Sequence, residues 1–214
     1  MFFTPEKRDQ HLLPHDPFKG LMIPRPIGWI STINTKGNAN LAPYSFFNGF
    51  FSWPNILGFS SEARKDSLVF AEQTREFTWN IATWDLKEQM NLSSEALDAG
   101  NSEFEYAGLT PEPGKIVKAP RVLESPASLE CKVTQIIKLT DLNGIETSGT
   151  VVFGQVVGVH IDQRVIADGQ VDATKLKPLA RCGYNEYTVI KDTFIMERPA
   201  SAGSPFGGRP DSTT

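Results

Sequence analysis

The dipeptide Asn143-Gly144 stands between two long strand-like runs, and it constrains the fold more than any other feature of the chain. Asn-Gly is the residue pair that tight hairpins demand, because the turn needs positive φ. Before it, Ser128 to Thr140 alternates, with Leu129, Cys131, Val133 and Ile136 interleaved with Glu130, Lys132 and Thr134. After it, Thr150 to Ile161 is long and nearly all apolar. The two runs predict a large central hairpin. Gly154 and Gly158 mark bulges on the return strand, or the corners that closing a small barrel requires.

Other short strands surround that hairpin. Ile27–Ile33 and Asn40–Phe46 pair across a turn at Asn34–Asn38, where Gly37 supplies positive φ. Phe47 to Trp53 reads as a short helical turn stopped at Pro54, and Asn55–Ser60 as a third strand. Asp66–Arg75 is a helix with Asp66 as N-cap, and Phe77–Ala82 a fourth strand. Asp85–Leu97 is a second helix, with Leu86, Met90 and Leu97 facing inward. Residues 98–125 read as a long loop, a lid or a subunit-contact arm, with surface carboxylates Glu95, Asp98, Glu103 and Glu105. Asp172–Lys177 makes one helical turn, and Tyr187–Lys191 and Thr193–Glu197 are edge strands. The expected class is mainly β (β or α+β), a closed or split antiparallel barrel with two inserted helices.

With 214 residues the chain fits one domain. Residues 1–19 form an irregular lead-in, 20–198 the domain, and 199–214 a Gly-, Ser- and Pro-rich tail expected to be disordered. The net charge of −4 and scattered basic residues argue against nucleic acid as a partner. No apolar run reaches membrane-spanning length and the N-terminus lacks a signal-like core, so a soluble cytoplasmic protein is expected. Cys131 and Cys182 belong to no metal-type cluster and read as free thiols. His11 and His15 have helical metal spacing, but Pro14 between them argues against the helix. No metal site is expected.

The stretch Leu41–Ser67 carries the chemistry. LAPYSFFN sets aromatics on both sides of Ser45, Asn55–Ser60 is a short apolar strand, and Ser61–Ser67 is a polar turn with adjacent Arg64 and Lys65. A planar ring with a phosphate tail needs an apolar cleft followed by hydroxyls and cations, in that order. A core aromatic run beside a solvated turn has the same composition, so the residues alone leave both readings open. Neither GxxxxGK[ST] nor a GxGxxG after a strand is present.

The ordered set Arg25-Pro-Ile-Gly-Trp-Ile-Ser-Thr32, Asn40–Asn48, Arg64-Lys-Asp-Ser67, Glu76-Phe-Thr-Trp-Asn80, Gly154–His160, Asp168-Gly169 and Pro178–Tyr187 resembles the flavin reductase-like family of FMN-binding split barrels. The resemblance covers residues 20–195. It implies non-covalent FMN, a homodimer, reduction by NADH or NADPH, and electron delivery to a partner monooxygenase or another acceptor. The alternative within it is an electron-transfer or flavin-carrier protein with little nicotinamide turnover. It implies that Tyr44, Ser45, Phe46 and Asn48 line the ring, Ser60 and Ser61 meet the ribityl chain or phosphate, and Arg64, Lys65 and Ser67 hold the phosphate. Arg181, Tyr184 and Tyr187 match a late element that approaches the flavin, with Tyr184 where a glycine is common. His160 is a further candidate for contact with the flavin or nicotinamide. No catalytic acid–base group is implied, since the cofactor supplies the redox chemistry.

Overall fold

The structure is a computed structural model that describes residues 1–98, 100–197 and 199. Its main sheet contains β1 (Gly28–Ile33), β2 (Ala39–Tyr44), β3 (Phe47–Ser52), β4 (Asn55–Ser61), β5 (Glu76–Asn80), β6 (Ala127–Thr140) and β7 (Glu146–Ile161). All neighbours are antiparallel, in the order β2-β1-β5-β6-β7-β4-β3.

That order forces closure. The two outermost strands, β2 and β3, are joined only by Ser45 and Phe46. In a flat sheet of seven strands the edges would stand roughly 29 Å apart, at about 4.8 Å per strand. A two-residue link reaches only about 10 Å. The sheet therefore curls into a barrel, and the Ser60 N–H donates to the Phe46 carbonyl at 2.8 Å, which extends the β3–β4 ladder into the link.

The long hairpin forms as its pattern predicts. Its loop is tied by Asp141, whose carboxylate accepts from the N–H groups of Asn143 and Ile145, while Gly144 takes φ 79°. Register shifts fall at Phe153/Gly154 and Val156/Gly158, the expected bulges. At Gly154 a Cβ would lie 2.5 Å from the Phe77 ring, so the barrel can close here only around glycine.

Two large apolar cores result, with a small third cluster of Ile81, Val165 and Leu176. Inside the barrel, Ile30, Phe59, Phe77, Cys131 and Val152 meet Leu68 and Ala71 of helix α1 (Asp66–Thr74). Outside it, Trp29, Leu41, Met90, Phe104 and Val122 pack beneath helix α2 (Lys87–Leu92). Trp29 Nε1 donates to Ser93 Oγ at 2.9 Å, which anchors the end of α2 to β1. A small second sheet pairs Arg25–Pro26 with β8 (Leu179–Arg181), which in turn pairs with β9 (Tyr187–Val189).

Several sequence expectations are corrected. Phe47–Ser52 is strand β3, because Pro54 sits in a hairpin turn closed by Asn55 Nδ2 on the Ser52 carbonyl at 2.7 Å. Lys65 is the residue capping α1 and Asp66 its first residue, with no side-chain cap. The second helix is shorter than expected, a 3₁₀ turn at Trp84–Leu86 followed by α2. The 98–125 segment holds a helical turn at Glu103–Tyr106 and buries Phe104, Leu109, Val117 and Val122, so it covers the outer core. Among its carboxylates Glu103 is half-buried, accepting from the Leu41 N–H at 3.2 Å, and burial pushes its pKa up. Thr193–Glu197 is not a strand, and residues 200–214 of the expected tail lie outside the described residues. No described helix is long and apolar enough to cross a membrane, and no His/Cys/Asp/Glu group able to hold a metal occurs among the described residues.

Candidate functional site

Three adjoining cavities lie at the seam where the barrel closes. Ser45 and Phe46, the link between β2 and β3, line three adjoining spaces or their borders. The largest is an apolar cleft of about 560 Å³ between Met22–Pro26 on one side and Phe46, Phe47, Asn48, Phe50 and Ser60 on the other. It falls within the size range of small-molecule sites. A polar annex of about 200 Å³ continues from it past Ser45, Phe46 and Ser60 to Lys19, Glu62 and Lys65. A third space of about 330 Å³ shares Ser45 and opens toward Arg181 and Tyr184.

Gly28 shapes the cleft from below. A Cβ there would stand 2.6 Å from the Phe47 ring, which stacks on Trp79 with centroids 5.6 Å apart. Around Phe46 the lead-in closes in: Phe18 lies 6.3 Å away ring to ring, Lys19 Nζ 5.4 Å and the Arg25 guanidinium 5.9 Å from its centroid.

Arg25 is the residue that sequence reasoning passed over. Only 6 % exposed, it donates to the carbonyls of Lys19 (2.5 Å), Met22 (2.6 Å) and Cys182 (3.0 Å). Its Nε is buried and has no hydrogen-bond acceptor. A buried cation whose donors are incompletely met is costly unless a ligand completes it. The motif Arg25-Pro-Ile-Gly-Trp was visible in the sequence, but burial of the arginine depends on the lead-in folding over it.

The sequence-nominated residues divide into groups. Ser45, Phe46, Asn48 and Ser60 line the cleft, and Tyr44 and Lys65 the annex. Arg64 is exposed and turned to Glu72, at 2.6 Å. Three hydroxyls point inward. Ser61 Oγ donates to the Ala63 carbonyl at 2.6 Å, Ser67 Oγ accepts from Asn40 Nδ2 at 2.7 Å, and the buried Tyr44 hydroxyl makes no hydrogen bond of normal geometry. Burial pushes the Tyr44 phenol pKa up, despite the nearby Ser67 and Ser61 hydroxyls.

Arg181, Tyr184 and Tyr187 form one cluster beside the cleft. The Arg181 guanidinium donates to the Tyr187 hydroxyl and the Tyr184 carbonyl and lies 4.4 Å from the Tyr187 ring centroid. His160 is not brought to this place. It lies nine residues along β7 from Val151, which lines the cleft, or about 30 Å at strand rise. Its Nε2 donates to Glu130 Oε1 at 2.5 Å. The Glu130 carboxylate, fully buried, also accepts from the N–H groups of Lys115, Ile116 and Val117 at 2.6–2.8 Å. Burial alone would raise the Glu130 pKa, but these bonds outweigh it and hold it at about 2.

The comparisons with known proteins agree with this architecture. The model of the flavin reductase-like domain matches residues 20–175. An uncharacterised protein of Aquifex aeolicus is 36 % identical over 174 residues, covering 78 % of this chain and 85 % of its own. A second, BH2278 of Halalkalibacterium halodurans, is 34 % identical over 185 residues, covering 84 % and 88 %. The crystal structure of nitrilotriacetate monooxygenase component B from Bacillus cereus superposes with a TM-score of 0.83 at 26 % identity, over 92 % of this chain and 98 % of that one. A barrel closed by a two-residue link, a cleft at that seam and a family match across most of the chain lead to one conclusion: the protein belongs to the flavin reductase-like family.

Proposed function

We propose that the protein binds FMN in the seam cleft and works as an NAD(P)H-dependent flavin oxidoreductase that passes electrons to a partner or acceptor. One observation carries the reading: an apolar cleft runs continuously into a cation-bearing annex, and a buried arginine with an unmet donor lines the cleft wall. These residues fit the group. An isoalloxazine is planar and largely apolar, with polar atoms along one edge, and its tail ends in a phosphate. When bound, the flavin supplies the redox chemistry by accepting a hydride equivalent from a nicotinamide and passing the electrons on.

The protein's own contribution is position and electrostatics. Phe46, Phe47 and Phe50 exclude water, while Ser45, Ser60 and Asn48 offer hydrogen bonds at the cleft wall and mouth. Arg25 brings its charge to the cleft wall, with one N–H left without an acceptor. Lys65, which caps α1, joins the first N–H groups of that nine-residue helix to hold the phosphate end. Arg64, tied to Glu72, contributes less. The exposed aromatics of β3, Phe50 and Phe51, are where a second copy of the chain would dock in a homodimer.

A second reading, a flavin carrier with little nicotinamide turnover, draws on the lead-in turn Phe18–Leu21, which lies against Phe46 and narrows access to the cleft. An anaerobic absorbance titration with NADH and NADPH separates the two. Bleaching of bound flavin by either nucleotide supports the reductase. Flavin bleached by dithionite but by neither nucleotide leaves only the carrier. A chain that takes up no flavin on reconstitution overturns both.

A further inference from the structure

Beside the proposed flavin cleft lies the pocket of about 330 Å³ lined by Phe18, Lys19, Arg25, Ser45, Arg181 and Tyr184. Its charge is unbalanced. Three cations face one carboxylate, Asp16, and of the three only Lys19 is paired, to Glu62 at 3.1 Å. Arg181 is fixed by neutral acceptors, the Tyr187 hydroxyl and the Tyr184 carbonyl, so its charge is oriented but not neutralised. Arg25 is likewise held by three carbonyls, with its buried Nε unmet. A guanidinium oriented by neutral acceptors keeps its charge available for a carboxylate, and a second cation on the same wall adds to the attraction. The remaining walls are rings: Phe18, and His15 against Tyr184 with centroids 5.7 Å apart.

We propose that this pocket is a subsite for a small aromatic monoanion, an aryl carboxylate, held with its carboxylate on Arg181 and its ring between Phe18 and Tyr184, with the Arg25 charge behind it. Asp16 on the same wall disfavours a second negative charge on the ligand. The shared Ser45 places this ligand next to the cleft, as a second substrate would need. That placement rests on the flavin reading, whereas the pocket's selectivity does not.

Calorimetric titration with sodium benzoate, sodium acetate and inorganic phosphate, on the flavin-free and FMN-loaded chain, tests the proposal. Benzoate is expected to bind saturably and to beat acetate by about tenfold or more, since acetate lacks the ring. Arg181→Met is expected to weaken benzoate by about tenfold or more, the loss of a charge-assisted pair. Tyr184 adopts φ 54°, a conformation glycine takes freely, so Tyr184→Gly removes the ring without straining the backbone. In that variant benzoate affinity is expected to fall toward that of acetate. The proposal is overturned if native protein does not bind benzoate, if phosphate binds more tightly than benzoate, or if Tyr184→Gly leaves benzoate unchanged. It is also overturned if Arg181→Met weakens FMN but not benzoate, which would assign the arginine to the flavin. Benzoate binding to a chain that refuses FMN would leave the subsite standing and remove the flavin reading alone.

Discussion

The molecule buries two charged side chains at opposite ends of the barrel and treats them differently. Glu130 is fully enclosed and fully met, by three backbone N–H groups and His160. Arg25 is almost as enclosed but keeps an unmet donor and no ion-pair partner among the described residues. The first is a structural anchor: it pins the 115–117 segment to β6, and with it the cover of the outer core. The second has an unmet donor, which the proposed flavin site would use. A buried charge indicates function when its bonding is incomplete, because folding alone would not retain such a group uncompensated.

Removing Glu130 should have the largest effect. Glu130→Ala leaves three N–H groups without their acceptor, that of Val117 buried, and strips His160 of its partner; it is expected to cost roughly 3 kcal/mol, read as a fall in urea midpoint. The native protein should show the same anchor in its acid sensitivity. The folded pKa lies below the ordinary 4.5, so the stabilisation is complete above that value and disappears as pH falls toward about 2. Equilibrium unfolding measured across that window checks it. His160→Ala should lower stability less and leave FMN affinity unchanged. A loss of FMN affinity in that variant would return His160 to the site and erase the contrast.

Arg25→Met comes next. Its expected signature is a fall in FMN affinity of about tenfold to a hundredfold, the worth of a charge-assisted bond in a dry site, followed by flavin fluorescence. The carbonyls it leaves unmet should also lower the melting temperature. Unchanged FMN affinity would make Arg25 an anchor of the same kind as Glu130.

Two glycines sharpen the comparison at smaller scale. Gly28→Ala and Gly154→Ala each press a Cβ into a ring, Phe47 and Phe77 respectively, at an expected cost of about 1–3 kcal/mol. Phe47 lines the cleft and Phe77 does not. Only the Gly28 variant should therefore weaken FMN as well as the fold. The smallest effects belong to the rim. Lys65→Ala should reduce FMN affinity a few-fold and in a salt-dependent way. Arg64→Ala, which removes an exposed pair with Glu72, should change stability by less than about 1 kcal/mol.

The elements most legible in the sequence were those whose residues pair locally. Asn143-Gly144 and the flanking alternation marked the long hairpin, and the two β7 glycines marked its bulges. Where local preference was ambiguous the reading failed. Phe47–Ser52 ends before a proline, which stops a helix and turns a hairpin equally well. The 98–125 segment is polar on average, yet Phe104, Val117 and Val122 are core, because a few apolar residues suffice when a barrel face is waiting for them. The candidate site was legible in part. Ser45, Phe46, Asn48 and Ser60 flank one seam and were nominated together. Ser61 and Ser67 share the same stretch but are buried, Ser61 by strand alternation and Ser67 on the inner face of α1, while Tyr44 borders the annex with its hydroxyl enclosed.

By itself the sequence determined the β1–β2 and β6–β7 hairpins, the helix after Lys65 and the aromatic, hydroxyl and cationic groups within residues 41–67, since each follows from period, turn chemistry and composition over a few neighbouring residues. Only the tertiary structure decided that Ser45–Phe46 is the seam of a closed barrel, that Arg25 is buried there with a donor to spare, and that His160 belongs to the far end with Glu130. The physical reason is that closure and burial depend on segments far apart in the chain: Arg25 meets Cys182, and Glu130 meets the 115–117 loop, only after the sheet has curled.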